Sequence, residues 1–241
     1  MSKDNAQKQQ EIIQMFDQIA GSYDLTNRVL SLGIDRSWRK EAIKKALNLC
    51  LDKNLVIADI ACGTGDMLMY WCENLEERKA EFIGIDPSEK MLEIAKKKLQ
   101  NQKVRFHQSV AQDLSVLENE SIDILSIAYG IRNVVDLDLA IREFSRVLKP
   151  NGILVILEFT QHKNQKILDR LMSFYTRKIL PLIGGIVSKN YKAYAYLPNS
   201  IDGFLSSKDL IQKLEQYKLI CTFNKSYSAN ISSLIICKKD I

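Results

Sequence analysis

An α/β fold built on an open, mostly parallel sheet is predicted by three features of this sequence. An apolar run, Val56 to Ala61, enters a glycine turn, Cys62-Gly63-Thr64-Gly65, that leads into a helix at Asp66; open α/β sheets build nucleotide pockets this way. A second apolar run, Glu81 to Ile85, ends in Asp86, roughly 20 residues on, where an acid can bind both hydroxyls of a ribose. Strand-like and helix-like stretches then alternate, which implies parallel strands joined by right-handed crossovers.

In chain order, helical spacing marks residues 8–20 and 31–50, the second through Trp38, Ala42, Ile43, Ala46, Leu47 and Cys50. Strands are expected near 55–60, 81–86, 103–108, 121–128 and 152–159, and helices near 66–78, 88–100, 136–148 and 163–180. Asp86-Pro87-Ser88-Glu89 reads as a helix start with an early proline, and Lys149-Pro150-Asn151-Gly152 as a helix stop ahead of a strand. A helix near 206–217 and strands near 218–224 and 231–238, the last antiparallel, close one domain over 1–241. Residues 1–50 are expected as helices over the site. Residues 160–205 form a long insertion, and such insertions in compact domains usually serve function.

The chain of 241 residues is 46% hydrophobic and 26% charged, as expected for a soluble globular domain. No apolar run approaches a membrane span and no signal-peptide core precedes the domain, so a cytoplasmic protein is expected. Five cysteines without a CxxC pair argue against a disulfide framework or thiolate metal site. His107 and His162 stand far apart without an acidic ligand pattern, and no metal is expected. Between Gln161 and Ser200 there are seven bases and one acid, a local +6 against +5 for the whole chain. The basic character thus belongs to one segment.

The turn also specifies the ligand's charge. A dinucleotide pyrophosphate prefers a third glycine at the helix start, where Leu68 stands instead, and no Lys-Ser/Thr pair follows Gly65 for a P-loop. Asp59 and Asp66 flank the turn; two carboxylates repel a pyrophosphate but attract the ammonium and sulfonium of S-adenosylmethionine. Cofactor contacts are therefore expected from Asp59, Gly63, Thr64, Gly65 and Asp86. Parallel topology brings His107–Ala111, Ala128–Asn133 and Glu158–Thr160 to the same sheet edge.

Four blocks carry a more particular signal: Tyr23-Asp24-Leu25-Thr26-Asn27 with Ser31 and Trp38; Ala58 to Asp66; Gly130-Ile131-Arg132-Asn133-Val134; and Arg146 to Pro150 with Leu157 to Thr160. Together with Tyr194-Ala195-Tyr196-Leu197 they resemble the C-methyltransferases of ubiquinone and menaquinone biosynthesis over nearly the whole chain. The resemblance implies a class I adenosylmethionine-dependent methyltransferase fold, with a mostly parallel Rossmann-like sheet and a C-terminal antiparallel strand. It implies C-methylation of a polyprenyl quinol ring, demethylmenaquinol or its ubiquinone-pathway counterpart. Asp35 stands where that family commonly has histidine, Val110 where an acid or amide often faces adenine, and Ala128 where a serine often lines the pocket. Adenine recognition would then rest on backbone near Val110 and Ala111, or on Gln112 and Asp113.

Ring methylation requires a nucleophilic carbon, which follows when the neighbouring hydroxyl loses its proton. A phenol titrates near pH 10, so a site working at neutrality must stabilise the phenolate by roughly 3 units, about 4 kcal/mol. Within the resemblance, Arg132 would supply a permanent positive charge, Asn133 a neutral hydrogen bond, and Tyr23 a group that orients the hydroxyl or a water. A plainer reading makes Arg132 a surface partner of Asp136 or Asp138, Asn133 a helix cap and Tyr23 a core aromatic. In the insertion, Ile167, Leu168, Leu171, Met172, Tyr175 and Ile179 share a helical face among bases. That face suits either an anionic bilayer at the inner face of the membrane or ordinary core packing. Stacking aromatics at a groove-like spacing are missing among these bases, so no nucleic-acid partner is expected; a homo-oligomer is allowed. A methyltransferase for another small apolar acceptor, or an inactive scaffold of a quinone-biosynthesis complex, are the competing functions.

Overall fold

The computed structural model describes residues 3–50, 52–75, 77–161, 179–188, 190–228 and 232–240. Its centre is a seven-stranded sheet in the order β3-β2-β1-β4-β5-β7-β6, with β1 Asn54–Ile60, β2 Lys79–Asp86, β3 Val104–Gln108, β4 Ile122–Ala128, β5 Leu148–Phe159, β6 Leu219–Tyr227 and β7 Ser232–Lys239. The pairs among β1 to β5 are parallel, and β7 runs antiparallel to both β5 and β6. Central strands of such sheets are covered on both faces and read as unbroken apolar runs. Ile57, Ala58, Ile60, Ile124, Leu125 and Ile127 are all fully buried.

Helices α3 Asp66–Glu73, α4 Glu89–Lys98 and α5 Leu137–Val147 follow the sheet, and α8 Ser207–Glu215 precedes β6. The starts of α4 and α5 are capped by side chains: the Ser88 hydroxyl accepts the Met91 N–H, as the sequence indicates, and Asp136 accepts that of Leu139. Strand β5 begins at Leu148, four residues before the expected start, because Leu148 already pairs with Ile122 and Asn151 turns the chain at φ 65 within the strand.

The first N-terminal helix is longer than periodicity indicates and the second is shorter. Helix α1 spans Lys3–Leu30 and α2 spans Asp35–Leu49; the break falls at Leu32 and Gly33, both at positive φ, where a helix cannot continue. The expected 163–180 helix and its apolar face lie outside the described residues. After it come α6 Leu180–Ser188 and α7 Tyr191–Asp202, a hairpin that packs on α1. A Cβ on Gly184 would stand 2.5 Å from the Tyr194 ring, so this close approach requires glycine. Among the described residues no helix is long and apolar enough to cross a membrane.

Candidate functional site

Two spaces meet above the carboxyl ends of β1, β2 and β4, the place where open α/β sheets bind ligands. The first is a narrow cleft of about 80 Å³. Gly63, Asp86, Val110, Ala111, Gln112 and Asn133 line it, with Gln9, Ile12, Ile13 and Phe16 of α1 across the top. The Asp86 carboxylate accepts the N–H groups of Gly63 at 2.8 Å and Ser88 at 2.9 Å, and burial pushes its pKa up to about 6. Space above Gly63 is open: a Cβ there would meet nothing within 4 Å. A buried acid at the end of β2 beside exposed turn backbone fits the ribose and methionine ends of adenosylmethionine.

The other expected cofactor residues stand elsewhere. Asp59 is 1% exposed and does not line the cleft. It accepts the Ser126 hydroxyl at 2.6 Å, Ser126 accepts the Trp71 indole at 3.1 Å, and burial pushes Asp59 up to about 7. The Thr64 hydroxyl donates to Asp24 at 2.5 Å, and Gly65, at φ 82, packs on Ala95 and Leu99 of α4. Asp66 is held by Lys98 at 2.6 Å and Arg28 at 3.5 Å. The electrostatic expectation for the turn therefore changes: one flanking carboxylate supports the core and the other is neutralised by cations. Asp86 is the acid that faces the ligand space. Cys62 is buried, and burial holds its thiol well above the ordinary range, the state of a packing residue and not of a nucleophile.

The second space is an apolar cavity of about 340 Å³ between α1, α2 and α7, within the size range of small-molecule sites. Phe16, Tyr23 and Tyr129 line both spaces and so form the wall between them. The 3₁₀ turn Ile131–Asn133 straddles that wall: Arg132 lines the cavity and Asn133 the cleft. Desolvation raises the Tyr23 phenol despite the pull of Arg132 and Arg39, so it stays neutral and able to donate at neutral pH. Leu32 and Ile34, 82% and 47% exposed, line the rim.

Arg132 is not a lone cation, nor does it pair with Asp136 or Asp138. Its Nη1 lies 2.6 Å from Glu158 and 2.7 Å from the Tyr129 carbonyl, and Nε donates to Ser200 at 3.3 Å. Asp136 caps α5 while Asp138 holds Lys213 at 2.6 Å. Glu158 is fully buried; desolvation raises its pKa and Arg132 opposes the rise. Asn133 accepts the Tyr196 hydroxyl at 3.2 Å and caps no helix. The sequence located Tyr129 and Glu158 at this sheet edge and Tyr196 in a matching block but gave them no role, and it missed Arg39. Glu158 carried a signal, as an acid near the end of an otherwise apolar strand, but its partner lies 26 residues away.

A sequence model of the ubiE/COQ5 methyltransferase family matches residues 3–238. A Campylobacter jejuni protein named ubiquinone/menaquinone biosynthesis C-methyltransferase UbiE is 51% identical over 236 residues, 97% of this chain and 99% of that one. A Bacteroides fragilis demethylmenaquinone methyltransferase is 37% identical over 204 residues, covering 83% and 80% of the two chains. Among solved structures, an adenosylmethionine-dependent methyltransferase from Aquifex aeolicus aligns over 82% of this chain and 89% of its own, with TM-score 0.58 and 16% identity. The [4+2]-cyclase SpnF aligns over 96% of both chains, with TM-score 0.69 and 14% identity. The structural likenesses establish the fold alone.

Proposed function

The chain belongs to the ubiE/COQ5 methyltransferase family, and from that premise we propose that its two joined spaces carry out adenosylmethionine-dependent C-methylation of a polyprenyl quinol. The protein is a C-methyltransferase of quinone biosynthesis. In our reading Asp86, Gly63 and the Val110–Ala111 backbone hold adenosylmethionine, which supplies an electrophilic methyl group when bound. The quinol ring occupies the apolar cavity.

The observation that carries this reading is the seam at residues 131–133. Consecutive side chains there face the two spaces, Arg132 toward the ring and Asn133 toward the cofactor cleft, with Tyr23 in the shared wall. Arg132 donates to the ring oxygen as that oxygen's proton passes to water, and the ring carbon, having taken the methyl group from the sulfonium, releases its hydrogen to water as the aromatic ring is restored. Asn133, held by Tyr196, and neutral Tyr23 fix the orientation of that oxygen or of a water beside it. Because Glu158 already offsets the Arg132 charge, the stabilisation comes from preorganised N–H donors in a dry pocket more than from a bare unit charge. Methyl transfer then needs only in-line approach of carbon and methyl group.

The tail of the quinol leaves past Leu32 and Ile34, whose exposed side chains suit contact with a bilayer from which the substrate is drawn. The bases of residues 161–200 add charge attraction to an anionic surface. Incubating the purified protein with labelled adenosylmethionine and a short-prenyl demethylnaphthohydroquinone tests the assignment, with mass spectrometry locating the label. Methylation on ring carbon is expected; transfer to oxygen, or none, would overturn it.

A further inference from the structure

The acceptor cavity contains a second buried guanidinium for which methyl transfer provides no task. Arg39, one turn into α2, is 8% exposed and lines the cavity with Arg132. Asp35 stands 3.5 Å from its Nε, but that carboxylate already receives Arg28 at 3.2 Å and the Ser31 hydroxyl at 2.7 Å. The Nε makes no hydrogen bond, and the guanidinium lies 5.3 Å from the centroid of the Tyr129 ring. A guanidinium carries five N–H donors, and buried charged donors left unpaired are costly. Among the described residues the Nε has an ion-pair neighbour in Asp35 but no hydrogen-bond acceptor.

Arg132 approaches the same tyrosine from its backbone, through the carbonyl, whereas Arg39 faces its ring. Both guanidiniums also act on the Tyr23 phenol. Two cations thus flank one pair of tyrosines inside a largely apolar cavity whose carboxylate, Asp35, is already engaged by Arg28 and Ser31. A ring oxygenated at both ends presents acceptors on opposite edges, one for each guanidinium.

Resting on the quinol reading above, we propose that Arg39 binds the substrate's second ring oxygen, para to the one beside Arg132, and thereby selects doubly oxygenated rings over simple phenols. Arg39 transfers no proton, since a guanidinium stays charged; it donates to a hydroxyl oxygen of the quinol or a carbonyl oxygen of the quinone. Asp35 remains paired with Arg28 and Ser31 when Arg39 is replaced, so an uncharged side chain at 39 strands no carboxylate.

The test compares wild type with Arg39→Met on two acceptors sharing ring and tail, a short-prenyl 1,4-naphthohydroquinone and the 1-naphthol lacking the second hydroxyl. Wild type should favour the diol in kcat/KM by about tenfold to a hundredfold, because a site built to bond an oxygen rejects the analogue without it. Arg39→Met should bring that ratio close to one, and Arg39→Lys should restore part of it. An unchanged ratio overturns the proposal. If wild type methylates neither acceptor, the quinol reading itself fails, and a binding measurement still decides Arg39. Quenching of Trp38, which lines the cavity, reports the affinity of the matching 1,4-naphthoquinone against its oxygen-free naphthalene analogue. A quinone preference reduced about tenfold in Arg39→Met, the remainder resting on Arg132, upholds the proposal, while equal preference in both proteins sinks it.

Discussion

The cofactor cleft and the acceptor cavity share a wall but are made in opposite ways. The cleft comes from short contiguous pieces at strand ends: Gly63 after β1, Asp86 closing β2, Val110 and Ala111 after β3. Its chief charged group is a carboxylate raised by burial to about 6. The cavity is assembled from α1, α2 and α7 with the turn at Arg132, elements far apart in sequence, and it carries two guanidiniums, Arg39 and Arg132, beside the Asp35 carboxylate that Arg28 also holds. On the proposed assignment a cationic nucleoside meets a carboxylate on one side of Tyr23 and Tyr129, and an anion-forming ring meets guanidiniums on the other. Each half can be altered with little effect on the other's ligand.

The largest test of that separation is Arg132→Ala, which should lower methyl transfer by about a hundredfold or more, roughly 2.7 kcal/mol, while adenosylmethionine affinity stays nearly constant. The change also strands buried Glu158 and should cost about 3–5 kcal/mol of folding stability; adding Glu158→Gln should return stability without returning rate. A single-turnover pH series identifies the role. The variant should regain rate as pH nears the phenol's own pKa while wild type gains less, and parallel curves would mean that Arg132 only positions the ring.

On the cleft side, Asp86→Ala should weaken adenosylmethionine by about 1.5–3 kcal/mol, tenfold or more, leaving quinone binding alone. Since the Asp86 carboxyl titrates near 6, calorimetric affinity in wild type should also fall as pH drops below about 6. A flat profile from pH 5 to 8 would remove Asp86 as the ionised acceptor.

A smaller effect separates Asp59 from Asp86. The Asp59 pKa is higher folded, about 7, than its ordinary 3.8, so the folded state holds a proton that the unfolded chain releases. Its contribution is complete below about pH 4 and is lost as pH rises through about 7. Asp59→Asn should therefore gain about 1–2 kcal/mol at pH 8 and nothing near pH 4 in urea unfolding. Equal changes at both pH values would show that Asp59 is not held protonated. Smallest of all, Leu32→Glu at the cavity rim should slow transfer to a long-tailed quinol in vesicles by about threefold to tenfold. A soluble short-tailed acceptor should be unaffected, and equal slowing on both would place Leu32 in packing.

The same contrast explains what the sequence made legible. Every central strand was visible because runs buried on both faces are predominantly apolar, broken only by single polar residues such as Asp59 and Ser126, and the glycine turn was visible because its φ demands are local. That Asp59 stands behind the cleft was not legible, because nothing in its flanks reveals that the Ser126 hydroxyl, a strand away, donates to its carboxylate. Glu158 meets Arg132 only when the neighbouring strands β4 and β5 align, and Asp35 meets Arg28 only across the turn between α1 and α2. Asp35, standing where the family commonly has histidine, had no meaning in sequence; folded, it is a counterion shared by two guanidiniums. Helix α1 was underestimated because its second half buries Tyr23 and Thr26 against ligand spaces and α7, and so breaks the usual apolar stripe.

Helix α1 also sets a timetable. It roofs the cleft with Gln9, Ile12, Ile13 and Phe16, and it is fastened at Asp17 by the Ser88 hydroxyl and at Asp24 by Thr64 and Lys98. Beneath it the space is about 80 Å³, well under the roughly 300 Å³ at which small-molecule sites begin. On the proposed assignment the nucleoside reaches the cleft when these fastenings part, each a polar contact of only about 1 kcal/mol. The expected order is then nucleoside first and ring second, beneath the other half of the same helix. Product inhibition checks it: spent nucleoside that leaves last should compete with adenosylmethionine and not with the ring.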